Sequence, residues 1–358
     1  MFGTFDDRRH PRVRVLAEGL AELGAEVVTC NEPWDAPTDA RVAALRSPRI
    51  ALRLAGRLLR SWARLVRSAR RVGPVDVVVV GYLGVFDVHL ARLCWPRATL
   101  VLDHLAPAGG TVSDRAGGRI AGRLARVLDG WAVHRADVVV VDTDEHRDSV
   151  VDTLSVVVPV GAPQNWFTAP QPRTDGPLRV VFFGLHTPLQ GTPAIGRALR
   201  LALQEHADLQ ITMVGTGQDL QACQQELRDR DEVTWRAWVD GDELIDLVAA
   251  HDVCLGIFGT TPKAHRVVPN KVFQGAAAGC VVITSDTPPQ RRALEADAVY
   301  VPAGDAPRLA ETLVLLAADP ARVERLRTSS YARAEHAFRP GMVVTPLVEH
   351  LRAEHRRG

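Results

Sequence analysis

The sequence predicts an α/β protein made of two doubly wound units in tandem. Three observations carry that reading. Short apolar runs recur with helical stretches between them, and VDVVVV (75–80) and DVVVVD (137–142) are continuous, as in parallel strands covered on both faces. The alternation stops at 161–177, where four prolines fall in a stretch without periodicity, and restarts at Leu178. A length of 358 residues is long for one domain and comfortable for two.

Taken in order, Met1–Phe5 reads as the end of a strand. Either the sheet's edge begins abruptly there or the true start lies upstream. A polar loop and an amphipathic helix (about Val13–Leu23) lead to a second strand at Glu26–Cys30. Strands at Val75–Val80, Thr99–Leu105, Asp137–Asp142 and Ser155–Val160 complete the first sheet. In the second half, strands are expected at Leu178–Gly184, Gln210–Gly215, Val233–Ala237, Val253–Ile257, a VVIT run from Val281 and Ala298–Val301. Helices fill the C-terminus to Arg357. The expected domains are 1–160, a linker 161–177, 178–335, and a C-terminal helix 336–358 returning to the first domain. Ligands of open parallel sheets bind outside the carboxyl ends of the strands, so the loops after the strands carry the candidate site.

Composition narrows the function. Hydrophobic residues make up 46% and charged residues 24%, ordinary values for a globular protein. A net charge of +1 argues against a nucleic-acid partner. The five cysteines are scattered beside apolar runs without metal-ligand spacing, which fits free thiols in a reducing compartment. The N-terminus shows no signal-peptide pattern and no apolar run reaches a membrane span, so a cytoplasmic location is expected.

The 43 basic residues include two lysines, Lys263 and Lys271; the rest are arginine. Lysine is a compact point charge that the planar arginine fork does not replace geometrically. Both lie in FGTTPKAHRVVPNKVFQGAAAG, where a loop enters a helix and an anion can meet free N–H groups and a cation. This stretch is read as a diphosphate-binding corner.

Four segments of the second half, over 178–286, resemble the donor domain of GT-B-fold glycosyltransferases, nearest to the retaining family 4. They are VVFFGLHTPLQG, MVGTG, WRAWVDGDEL and PNKVFQGAAAG, in the family's order. The resemblance implies GT-B architecture, two Rossmann-like domains facing across a cleft. It implies a nucleoside diphosphate sugar as co-substrate, with no further cofactor, and transfer with retention. Donor contacts are expected from Gly184, Thr187, Gln190, Gly191, Gly215, Gly217, Trp238, Val239, Arg266, Asn270 and Gln274. The glycines admit close backbone approach and Trp238–Val239 meet the base. The family's glutamate pair is absent: Arg266 and Gln274 stand at its two positions. The usual Arg and Lys of the first phosphate loop are also missing, which moves the cationic work to Lys263, Lys271 or Arg266. Lys263 and Lys271 would neutralise the diphosphate leaving group. No metal is expected, on the reading that no Asp-x-Asp motif stands at a strand end.

In the first half, the resemblance assigns His104 to positioning the transferred sugar. Asp103 is expected to make loop or acceptor contacts, and Asp6, Arg9, His10 and Asp114 to bind an acceptor, a small molecule or a lipid-linked one. Ten arginines and no acidic residue fall between Ala40 and Val75. In the Arg41–Arg71 region, Arg49, Arg53, Arg57, Arg60, Arg64, Arg67 and Arg71 recur at helical spacing opposite Leu54, Leu58, Trp62, Leu65 and Val66. This face suits either solvent or an anionic membrane surface, which would put the protein at the inner face of the cell membrane. A nucleotide-sugar epimerase and a non-catalytic sugar-nucleotide-binding protein are the alternative functions.

Overall fold

A computed structural model describes residues 1–6, 11–33, 47–81, 84–105, 119–150, 153–172 and 176–356. Arg9, His10, Arg41, Arg46 and Asp114 lie outside these residues. The chain divides into two compact units, 1–158 with 344–358, and 159–343.

The first unit runs β1 (Phe2–Gly3), α1 (Pro11–Glu22), β2 (Cys30–Asn31), α2 (Pro48–Val72), β3 (Val77–Val80), α3 (Asp87–Cys94), β4 (Thr99–Asp103), α4 (Arg119–Arg135), β5 (Val138–Val141), α5 (Asp144–Arg147) and β6 (Ser155–Val157). Its six strands are parallel in the order β2-β1-β3-β4-β5-β6. Two expectations are corrected. The first strand is not an edge strand, since it sits between β2 and β3. The second begins at Cys30 rather than Glu26, because its partner β1 offers two residues to pair with: Phe2 faces Cys30 and Gly3 faces Asn31.

On one face of this sheet Phe2, Val78, Val80, Leu100, Leu102, Val139 and Val141 form a core with Leu65 of α2, Val88 and Ala91 of α3, and Ala132 and Val133 of α4. The alternation along each strand gives this face its apolar side chains. Helix α2 packs on α3, and α3 on α4.

The second unit runs β7 (Leu178–Phe183), α6 (Thr192–Gln204), β8 (Leu209–Val214), α7 (Leu220–Glu226), β9 (Val233–Arg236), α8 (Gly241–Ala249), β10 (Val253–Leu255), α9 (Asn270–Ala277), β11 (Val281–Ser285), α10 (Pro288–Leu294), β12 (Val299–Val301), α11 (Ala306–Ala317) and α12 (Pro320–Ala337). A last helix, α13 (Pro340–His355), begins here, and its residues from Val344 belong to the first unit. The sheet is again parallel, in the order β12-β11-β10-β7-β8-β9. The chain winds from β7 outward to β9, then returns to lay β10 against the other side of β7. That reversal makes a topological switch point at the loops that follow β7 and β10, the place where ligands of open parallel sheets bind.

An ion pair built on a buried carboxylate anchors the other end of these two strands. Asp252, fully buried just before β10, accepts from the backbone N of Arg179 at 2.9 Å and from its guanidinium Nη2 at 3.0 Å.

Candidate functional site

The loop after β7, residues 184–191, is held by backbone contacts that only glycine allows. Gly191 has φ +69° at the N-cap of α6, and a Cβ there would lie 2.5 Å from the carbonyl carbon of Phe258. The Phe258 N–H donates to the Gln190 carbonyl at 3.0 Å, which joins the β7 and β10 loops at the switch point. Gly215, after β8, has φ +129°, and a side chain there would collide with the Gly184 carbonyl. The loops are thereby pressed together with little side-chain material between them.

Lys271 enters from the first turn of α9. Its Nζ donates to Gln190 Oε1 at 2.7 Å and stands 3.6 Å above the Phe182 ring. A Cβ at Gly184 would lie 3.2 Å from the same Nζ. The side chain is buried, and burial pushes its pKa down to about 7, with nearby Cys254 acting weakly the other way. His186, in the β7 loop, is fully buried, its ring 5.2 Å from Phe182 and 6.2 Å from Trp235. Neither ring nitrogen has a hydrogen-bond partner among the described residues. Burial, and then the Lys271 charge, lowers its pKa to about 4, so the imidazole is neutral at pH 7. The structure therefore brings together Gly184, Gln190, Gly191, Gly215 and Lys271. It adds His186 and Phe182, which sequence reasoning did not assign. A lone histidine between the two loop glycines was the legible signal for the first.

The other donor-side residues surround this corner at varied depth. Gln274 is buried one turn beyond Lys271, and Asn270 is half-buried at the helix start. Thr187 is half-buried, and its carbonyl accepts from Gln190 and Gly191. Gly217 is exposed. Lys263 is half-buried and its carbonyl accepts from the N–H of exposed Arg266 at 3.0 Å. Trp238 is 65% exposed, tethered by Nε1 to Asp240 Oδ1 at 3.1 Å, so its ring face is open to a flat ligand; Val239 beside it is buried.

In the first unit, Asp103 ends β4 but turns inward. Its Oδ1 accepts from Arg12 Nε at 3.2 Å, and both side chains are buried. This corrects the expectation that Asp103 faces a loop or an acceptor. Burial raises its pKa more than the Arg12 charge lowers it. His104 is buried too. Its Nδ1 lies 3.2 Å from His146 Nε2 and its Nε2 3.3 Å from Asp129 Oδ1, while His146 Nδ1 lies 2.8 Å from Asp142 Oδ1. Two carboxylates thus bracket two imidazoles in one buried chain. Asp129, Asp142 and His146 were not singled out from the sequence, although Asp142 and His146 have the i,i+4 spacing of one helical turn right after an apolar strand. Asp6 is half-buried after β1.

The premise for excluding a metal also needs correction. Asp142-Thr143-Asp144 is an Asp-x-Asp motif at the end of β5. Its two carboxylates diverge: Asp142 is buried on His146, and Asp144 pairs with Arg147 Nη2 at 2.7 Å.

The two-unit architecture is that of GT-B glycosyltransferases. Sucrose-phosphate synthase from Thermosynechococcus elongatus superposes with a TM-score of 0.69 at 16% identity, over 97% of this chain and 93% of that one. Anabaena HepE in complex with UDP-glucose gives 0.66 at 14% identity, over 99% and 98%. An α,α-trehalose-phosphate synthase (UDP-forming) from Burkholderia vietnamiensis gives 0.60 at 12% identity, over 84% and 80%. Residues 196–346, which take in most of the second unit, match the family model described as glycosyl transferase-like. No curated protein matches the sequence.

Proposed function

We propose that the chain transfers a sugar from a nucleoside diphosphate sugar, with retention and without a metal, to a small-molecule or lipid-linked acceptor. The observation that carries this reading is the buried Lys271 ammonium at the switch point of the second unit, beside glycine-walled loops and the neutral His186. A diphosphate placed there would meet a buried cation, in a setting dry enough for the charge to act strongly as the leaving group departs. Lys263 and Arg266 supply further positive charge from the β10 loop. Asn270 and Gln274 lie along α9 for ribose contacts, and Trp238 offers its face to the base. His104, whose Nδ1 meets His146 Nε2, is the residue that the resemblance assigns to the sugar. UDP is the first nucleotide to try, because the HepE structure is described with UDP-glucose and the trehalose-phosphate synthase as UDP-forming. The protein is placed in the cytoplasm, at the inner face of the cell membrane where the acceptor is lipid-linked.

Isothermal titration with UDP, GDP and dTDP tests the donor site, and Lys271→Ala tests its cation. Binding by none of the three sinks the reading. Nucleotide release that appears only when an acceptor is supplied supports transfer. Turnover of the sugar without an acceptor favours an epimerase instead. Binding without any turnover leaves a non-catalytic sugar-nucleotide-binding protein, a reading that the missing glutamates at 266 and 274 favour.

A further inference from the structure

The first unit carries a basic, partly apolar surface that the donor site does not use. Helices α2, α3 and α4 lie side by side on one face of its sheet. Their inner sides, including Leu54, Leu65 and Ala69 of α2, are buried in the core, so the helices are already anchored. Their outer sides have two further properties. Eight arginines of α2 from Arg49 to Arg71 are exposed, as are Arg123, Arg126 and Arg135 of α4. The acidic residues of these three helices, Asp87 and Asp129, are buried. Among the described residues, only Arg64 of the exposed α2 arginines pairs with a carboxylate, Glu32 at 3.1 Å; at the rim, Arg92 of α3 meets Asp137 at 2.5 Å.

Set among these cations are five large apolar side chains, Leu52, Leu59, Leu93, Val127 and Trp131, each 61–76% exposed. Leu52 and Leu59 are two turns apart and so project on one side of α2. Val127 and Trp131 are one turn apart on α4. The Trp131 ring meets that of His89 at 6.1 Å, and Leu93 stands one turn beyond His89 on α3, which joins the apolar positions of α3 and α4.

We propose that this three-helix face docks on an anionic lipid bilayer. Arginine heads pair with lipid phosphates while their stems and the exposed Leu, Val and Trp side chains reach the boundary between headgroups and acyl chains, where tryptophan is favoured. Each cation near such a surface strengthens binding by about fivefold. The apolar side chains are dispersed rather than forming a continuous face, so the contact is shallow and depends on lipid charge. A second copy of the same face is excluded as occupant by like-charge repulsion. A nucleic acid has no use for the leucines on the outer turns. The surface lies wholly on the first unit, so this inference stands or falls independently of the donor site.

The test is co-sedimentation of the full chain with vesicles of phosphatidylcholine alone and of phosphatidylcholine mixed with phosphatidylglycerol. Binding is expected to the mixed vesicles, weakening as salt rises, and not to the neutral ones. The combined change Arg53→Gln, Arg57→Gln and Arg60→Gln should lower partitioning by about 100-fold. Leu59→Ala with Trp131→Ala should lower it by about tenfold, in line with the apolar surface removed. All five positions are exposed, so melting temperature and UDP titration should match the parent chain. Equal binding to neutral vesicles, no binding to the mixed ones, or a triple variant that partitions like the parent would overturn the proposal. So would charge-dependent binding to a DNA duplex with none to vesicles.

Discussion

Replacing Lys271 with methionine should make the protein more stable while removing nucleotide binding. An ammonium whose pKa falls from 10.5 to about 7 carries a penalty of roughly 4–5 kcal/mol on its charged form. The hydrogen bond to Gln190 and the contact with the Phe182 ring return about 1–2 kcal/mol each. Methionine fills similar volume without the charge, so a net gain of about 1–2 kcal/mol is expected at pH 7 from urea unfolding. The sign with pH discriminates. Below about pH 7 both the folded and the unfolded chain hold the proton, and the whole penalty is in force. Between about 7 and 10.5 the unfolded chain keeps a proton that the folded chain has released, so wild-type stability rises toward that of the variant. The advantage of Lys271→Met should therefore be largest near pH 6–7 and shrink toward pH 10. A variant less stable than wild type, or an advantage flat across that range, would show that the ammonium is not strained. Unchanged UDP affinity would show that the strain does not serve binding.

Gly191→Ala should cost at least about 2 kcal/mol and weaken UDP binding, because φ is +69° and the new methyl meets the backbone of Phe258 and Gly259; thermal melting and titration report both. Arg12→Leu should destabilise the first unit by about 3–5 kcal/mol by leaving the Asp103 carboxylate buried without its guanidinium. Asp103 already has a raised folded pKa. As pH climbs from 3.8 toward that value the unfolded chain gives up its proton first, and stability falls. The deficit of Arg12→Leu, read from melting temperatures, should accordingly be larger at pH 8 than at pH 5.

The strand and helix order was legible wherever strands are long enough to be covered on both faces. VVVV at Val77–Val80 and Val138–Val141 leaves no alternative period, and the glycines of the second half mark their loops by position alone. The first strand pair of the fold was less legible. A two-residue β1 pairs only what lies opposite it, and neither Glu26 nor Val27 can announce from sequence that its partner has run out. At the candidate site, sequence located the residues that stand next to a glycine or start a helix. It did not locate those whose role depends on which way a side chain turns. Asp103 and Asp142 follow the same apolar pattern as surface carboxylates after strands, and both turn inward to Arg12 and His146.

That difference bears on how the proposed phosphate corner would work. The loop after β7, proposed to meet phosphate, lacks the cations that the resemblance leads one to expect, and His186 cannot replace them, since burial and Lys271 together keep its imidazole neutral at pH 7. A neutral histidine can still donate one N–H, and both its ring nitrogens await a partner. Lys271 is thus the one buried cation of the corner among the described residues, and its proton is lightly held. An incoming diphosphate would raise the lysine's proton affinity and supply the imidazole with an acceptor, so the ligand would couple the two groups beyond the direct effect of the Lys271 charge on the imidazole. The departures from the expected motif then describe one device. On the proposed function, charge would not be stationed permanently in the loop but drawn onto a buried lysine when an anion arrives, which would also account for lysine at this position in a chain whose cations are otherwise arginine apart from Lys263.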